Sequence, residues 1–315
     1  MMLNRPPKIS IIIGVLNMAH YLADALDSVI KQNYPALELI IIDGGSTDGT
    51  LDIIKQYDKH VTIWQSGQDK GHADACNKAL KIATGDFICL LNADDLLGAD
   101  LLHKVAAIYQ KNPNANLITC GVQIVEKDAN QHNHVIKEII HPNLLQISLE
   151  NILFGLPVIN ARFFHKSIFE KFGEFQATHP DGGYNLSNDR DFLTRLALAH
   201  IQSEIIPEPL YYYLSHNDSL TFSQKNIIKS HKEHILLAER FLKTADLSMN
   251  QQKLFNKWKA RESVYLCLLY LLKLRLKDSL SMLIYGFPPH TITWLGQLGN
   301  IVTARILKTF KKTSL

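Results

Sequence analysis

The sequence predicts an α/β protein, a doubly wound, mostly parallel sheet followed by a helical C-terminal extension. Three observations carry that prediction. Short, mainly apolar runs such as residues 9–13 and 87–91 read as strands buried on both faces. Between such runs apolar residues recur at helical spacing, and the alternation of the two patterns marks parallel β-α-β units. From about Ser223 the strand pattern ceases and helical periodicity takes over.

Residues 9–13 form the first predicted strand. Tyr21, Leu22, Ala25, Leu26, Val29 and Ile30 then make the apolar stripe of a helix that Tyr34-Pro35 ends, because proline cannot donate to the helical ladder. Residues 37–42 are the second strand and 50–57 a short helix. Residues 61–65 give a third strand, 73–83 a helix closed by Gly85, and 87–91 a fourth strand. A helix begins near Asp100, 117–125 reads as a strand, and the polar run 126–134 as a turn or hairpin. Residues 148–173 mix short helices around Gly155-Leu156-Pro157; 190–199 is helical, and 204–206 and 210–214 are short strands. Later breaks fall near Ser248 and at Gly286-Phe287-Pro288-Pro289. The expected domains are 1–222, the α/β body, and 223–315, the helical extension.

At 315 residues, 46% hydrophobic and 20% charged, the chain can bury a sizeable core, which excludes disordered and fibrous classes. A net charge of +3 without a basic stripe interleaved with aromatics argues against nucleic acid as a partner. Cys76, Cys89, Cys120 and Cys267 form no CxxC pair and read as buried thiols in a reducing compartment. The start, MMLNRPPKIS, carries no apolar run of secretory length, and residues 264–272 fall well short of the roughly 20 that a membrane span needs. A cytoplasmic location is the expectation.

Chemistry-bearing residues collect where strands hand over to helices, the edge at which open α/β sheets bind ligands. In IIIDGGSTDGT, Asp43 ends a strand, Gly44 and Gly45 permit close backbone approach, and Ser46, Thr47 and Asp48 can cap the next helix. A well-formed turn explains the capping residues equally, but not Asp43. In SGQDKGHADACNKAL, Asp69, Lys70 and Gly71 precede a helix carrying Asn77; such a start suits a phosphate or a ribose, and solvated capping explains it as well. In LLNADD, Asn92, Asp94 and Asp95 are oxygen ligands of the kind that take Mg²⁺ or Mn²⁺ with substrate phosphates; taken alone, a turn and helix cap fits them too. No GxGxxG follows the first strand, which disfavours a dinucleotide oxidoreductase.

ISIIIGVLNMAHYL, YPALELIIIDGGSTDGT, DKGHADACNKAL, ATGDFICLLNADD, VINARFFHKSIFEKFGEF and SNDRDFLTRLAL, in that order, resemble glycosyltransferase family 2, with its GT-A fold, over roughly residues 8–221. The resemblance implies inverting transfer of a sugar from a nucleotide-activated donor, with a divalent ion, Mn²⁺ or Mg²⁺, at the family's DxD position. Asn92-Ala93-Asp94 occupies that position and Asp94 matches the metal-touching acid; Asn92 replaces the first acid and lowers the negative charge. Asp43 matches the first acid of the nucleobase motif, while Gly44 stands where a second acid contacts uracil in some relatives. Asp95 is expected at the donor sugar or in the turn. The family's catalytic acid falls on Asp189, as general base; Asp191, aimed elsewhere on the same helical turn, joins it as a candidate. His216, after the aromatic stretch PLYYYLSHNDSLT, matches a histidine that meets the metal or the pyrophosphate, with Ser219 nearby.

Other histidines carry no assigned chemistry: His132 and His134 read as solvated in a polar turn, and so do His231 and His234 at helical i, i+3 spacing. Trp258, Val264, Tyr265, Leu268, Leu269, Leu271 and Leu272 make a helix too apolar to stand free. Residues 301–312 mix Ile301, Ile306, Leu307 and Phe310 with Arg305, Lys308, Lys311 and Lys312, the make-up of an interfacial membrane helix or of an ordinary packed one. The expected activity is a metal-dependent hexosyltransferase using a nucleotide-sugar donor, UDP-sugars first, on a glycan or lipid-linked acceptor in cell-surface polysaccharide synthesis, with peripheral membrane contact through the C-terminal helices. The rivals are a nucleotidyltransferase and a non-catalytic sugar-nucleotide-binding or scaffold subunit.

Overall fold

The computed structural model describes residues 5–127, 133–178, 183, 185–216, 226–272, 278 and 281–282. Four parallel strands begin it: β1 (Ile9–Val15), β2 (Leu37–Asp43), β3 (Ile63–Ser66) and β4 (Phe87–Leu90), separated by α1 (Leu22–Ile30), α2 (Thr50–Gln56) and α3 (His72–Ile82). β1 and β4 are buried at every position, as strands covered by helices on both faces must be. In α1 the buried residues Leu22, Ala25, Leu26 and Val29 repeat the predicted stripe.

The second half completes one mixed sheet. Its elements are β5 (Leu96–Leu97), α4 (Leu101–Lys111), β6 (Leu117–Lys127), β7 (Asn133–Ile139), α5 (Pro142–Leu145), α6 (Leu149–Phe154), β8 (Arg162–His165), α7 (Lys166–Phe172), α8 (Asn188–Leu198) and β9 (Glu204–Leu214). The order is β3-β2-β1-β4-β8-β6-β9-β5, with β7 paired to β6. The chain therefore reverses direction across the sheet between β1 and β4, and a crevice opens at their carboxyl ends.

Three features differ from the sequence expectation. β8 runs antiparallel between β4 and β6, in a stretch expected to be only helical. Its Arg162 is buried because Nη1 donates to Thr119 Oγ1 and Leu145 O, both at 2.9 Å. β9 is one strand rather than two: its register against β6 shifts around Gly121, which absorbs Pro207 and Pro209, residues that cannot donate to a ladder. β5, only two residues, pairs antiparallel with β9.

At the amino edge of the sheet, the buried Glu38 accepts from Lys8 Nζ and Ser10 Oγ, both at 2.6 Å, and from Thr84 N at 2.8 Å. Burial acts to raise the Glu38 carboxyl, but these donors outweigh it and hold it down at about 2. All four cysteines are buried.

The chain divides into two compact units, Met1–Ser219 and Leu220–Leu315. In the second, α9 (Ile227–Thr244) packs along α10 (Met249–Leu272), with Phe241 stacked on Phe255 and Trp258 fully buried. His231 and His234 are not solvated as expected: both turn inward to the buried Glu262, an anion that draws them off the helix surface. Among the described residues no helix is long and apolar enough to cross a membrane. His132, Ser219, the Gly286-Pro289 break and the basic segment 301–312 lie outside the described residues; His134 is on β7 and exposed.

Candidate functional site

The loops after β1 and β2 are stitched to each other at the carboxyl edge. Asn17, in the left-handed region at φ 53°, accepts from Thr47 N at 2.9 Å, while its own N–H donates to Ser46 Oγ at 2.8 Å. Met18 N and Ala19 N continue the seam to Thr50 Oγ1 and Asp48 Oδ2. Asp43 is 0% exposed and accepts from Gly45 N, Ser46 N and Ser66 Oγ at 3.0, 3.1 and 2.6 Å. It shapes the turn, and its acceptor capacity is largely spent there. Asp69 comes over the top: its Oδ2 lies 2.8 Å from where a Cβ on Gly44 would stand, so any larger residue at 44 would displace it. Its Oδ1 accepts Gly71 N at 2.8 Å, which fixes the entry into α3.

The LLNADD residues divide between two duties. Asp95 is 1% exposed and accepts from Tyr211 Oη, Leu214 N at 2.9 Å and Asn92 Nδ2 at 2.9 Å. Burial, reinforced by the charge of Asp94, pushes its carboxyl well above the usual range. It ties the motif to β9 and is too buried to meet a donor sugar. Asn92 is likewise committed, its Oδ1 accepting from Asn160 Nδ2 at 3.0 Å, so its amide braces the turn and is not presented as a metal ligand. Asp94 faces the other way, and its Oδ2 meets His216 Nε2 at 2.8 Å. The imidazole stacks on Tyr21 with centroids 4.5 Å apart, and its buried Nδ1 has no hydrogen-bond partner among the described residues. One carboxylate oxygen and one ring nitrogen, 122 residues apart in sequence, thus converge on the crevice. A divalent ion fits this pair, since Mn²⁺ accepts N and O donors and two protein ligands leave positions for diphosphate oxygens.

His72 opens α3 at the same edge, and sequence reasoning gave it no role although it follows Gly71 directly. Gly14 makes room for it: a Cβ there would stand 3.3 Å from the ring. The negative charge that Cys76 can carry, opposed by burial and joined by the charges of Asp94 and Asp189, raises its pKa to about 9. His72 therefore lies in the field of both acids, placing the start of α8 near the LLNADD turn. Asp189 sits half-buried on that first turn. Asp191, in contrast, is 1% exposed and paired with Arg195 at 3.3 Å, so it anchors α8 and does not face the crevice.

Lys70 is exposed beside the α3 start, with its N–H on Asp74. Asn77 is turned inward: its amide donates to Phe175 O at 2.9 Å and accepts from Phe175 N at 3.0 Å, pinning the segment after α7. The structure thus brings Asp69, Lys70, Gly71, Asp94, Asp189 and His216 to one edge, and spends Asp43, Asn77, Asn92, Asp95 and Asp191 on holding that edge in shape. Tyr21, Asn160 and Tyr211 escaped sequence reasoning because their partners are distant in the chain.

The family model described as "Glycosyl transferase family 2" matches residues 10–173, just over half of the chain. Among curated proteins, "Putative glycosyltransferase EpsE" of Bacillus subtilis is 31% identical over 147 residues, covering 45% of this chain and 53% of that protein. "Putative teichuronic acid biosynthesis glycosyltransferase TuaG" of the same organism is 40% identical over 108 residues, 33% of this chain and 42% of that protein. The chain spans about half the length of the curated relatives it matches. Staphylococcus aureus TarS 1-349 in complex with UDP-GlcNAc superposes with TM-score 0.58 at 18% identity, covering 94% of this chain and 81% of that one. The mannosyltransferase PcManGT of Pyrobaculum calidifontis, in complex with GDP-Man and Mn²⁺, gives 0.60 at 16% identity, covering 98% and 83%. These structures share the fold.

Proposed function

The chain belongs to glycosyl transferase family 2, and from that premise we propose an inverting, metal-dependent glycosyltransferase that moves a hexose from a nucleoside-diphosphate sugar to a glycan or lipid-linked acceptor. The observation that supports it most is the Asp94–His216 pair, 2.8 Å apart at the carboxyl edge of the sheet, with Asp189 and Asp94 both in the field of His72.

Asp94 and His216 would hold Mn²⁺ or Mg²⁺, which supplies charge neutralisation for the departing diphosphate. Tyr21 keeps the His216 ring in place by stacking. The first N–H groups of α3, opened by Gly71, and the Lys70 ammonium receive phosphate or ribose oxygens. Asp189 takes the proton from the acceptor hydroxyl as that oxygen attacks the anomeric carbon. His72 lies in the electrostatic field of both acids.

The nucleobase reading rests on Asp69. The acid that the family pattern puts at position 44 is absent, but the Asp69 carboxylate lies over Gly44 and offers an acceptor there. An acceptor suits a base that presents a ring N–H, uracil or guanine, so UDP-sugars come first and GDP-sugars second. The name of the teichuronic acid relative supports a role in cell-surface polysaccharide synthesis. That role fits a cytoplasmic enzyme at the inner face of the membrane, with residues 1–222 carrying the chemistry and 223–315 meeting a partner or the lipid surface.

The test is a screen of nucleotide sugars with Mn²⁺ for donor hydrolysis, since slow transfer to water needs no acceptor. Release of a nucleoside diphosphate is the expected result. Pyrophosphate would identify a nucleotidyltransferase, and absence of both turnover and metal-dependent nucleotide binding would identify a scaffold.

A further inference from the structure

The second unit gathers a donor set that the transfer site does not use. His231 and His234, three residues apart on α9, share one helix face, and Glu262 meets them from α10. Glu262 is 1% exposed, and its Oε2 faces the same ring atom of both imidazoles: Nδ1 of His231 at 2.5 Å and Nδ1 of His234 at 3.1 Å. The three ligand atoms lie within 4.8 Å of one another.

Each part is held in place by its neighbours. His231 stacks on Tyr265 at 5.1 Å and 17°, and His234 packs on Trp258 at 5.2 Å and 38°. Glu262 Oε1 is occupied by Arg261 Nε at 3.2 Å, which orients the carboxylate so that Oε2 turns to the histidines, as outer-shell partners do in metal sites. One divalent ion among these atoms would take a lone pair from all three groups.

We propose that His231, His234 and Glu262 bind a divalent transition metal, zinc by preference, that clamps α9 to α10. Two nitrogens and one carboxylate oxygen suit Zn²⁺, Co²⁺ or Ni²⁺ and not the all-oxygen preference of Mg²⁺ or Ca²⁺. Zinc sits about 2.0–2.2 Å from such ligands, so binding draws the Glu262 oxygen back from His231 and closes the rings on the ion. Three protein ligands leave a fourth position to water. Binding displaces protons and moves no electrons.

Chelator-stripped full-length protein, titrated with Zn²⁺ by calorimetry and with Co²⁺ by visible absorption, tests this. The Asp94→Ala variant separates the site from the transfer edge. In that variant one equivalent of Zn²⁺ should still bind and raise the thermal midpoint, and Co²⁺ should give tetrahedral visible bands. His234→Gln and Glu262→Gln should weaken binding at least 100-fold. Zinc-edge absorption spectroscopy on Asp94→Ala should show two imidazoles, a reading that needs no variant of the triad to fold. No Zn²⁺ or Co²⁺ binding in Asp94→Ala, undiminished binding in the triad variants, or a shell without imidazole would overturn the proposal and leave a proton-bridged ion triad.

Discussion

Asp94 and Asp95 are neighbours in the chain with opposite duties. Asp94 turns to His216 and the crevice; Asp95 is buried under Tyr211 and Leu214 N. Tyr211→Phe should therefore leave a buried acid short of a donor and lower stability by about 1–3 kcal/mol, read as a fall in Cm in urea with m unchanged. Asp94→Ala should leave the fold intact and cut Mn²⁺-dependent donor turnover by about 100-fold or more. Motif order pointed to Asp94, His216 and Asp189, and the structure sets the first two against each other. The same order also set Asp94 apart from Asp95 and Asp189 from Asp191, but not the partners that hold Asp95 and Asp191, because Tyr211 lies far along the chain and burial does not show in local pattern. His72 was missed for a different reason: its position depends on the space left by Gly14, a contact between two motifs.

At the scale of elements, the four parallel strands and three helices of the first half were legible, since continuous apolar runs and helical stripes are local signals. β8 was not. Its four residues, two of them Arg162 and His165, fall in a stretch whose pattern reads as short helices, and the strand shows only once Thr119 and Leu145 are seen to satisfy the guanidinium. β5 is too short to carry a period, yet its pairing with β9 draws Asp95 against Tyr211 and sets His216 beside Asp94. α3 depends on Asn77 in the same way. Asn77→Ala would break both hydrogen bonds to Phe175, and a loss of about 1–3 kcal/mol should appear as a lower thermal midpoint.

Across the molecule, ionic stability and chemistry occupy opposite edges of the sheet. Glu38, held at about 2 against an ordinary 4.5, contributes stability that is fully present above its unfolded value and is lost as pH falls from about 4.5 to 2. Glu38→Gln should flatten the acid limb of stability over that window and lower neutral stability by roughly 2 kcal/mol, while donor turnover at neutral pH stays unchanged, because the site lies at the other edge. The central claim concerns that other edge: one acid holds the metal and a second takes the proton. The most direct measurement compares donor binding and transfer in Asp189→Asn with the unaltered protein, once a donor has been found. The account predicts Mn²⁺-dependent donor affinity within about threefold and transfer reduced by about 100-fold or more; transfer at the unaltered rate would contradict it.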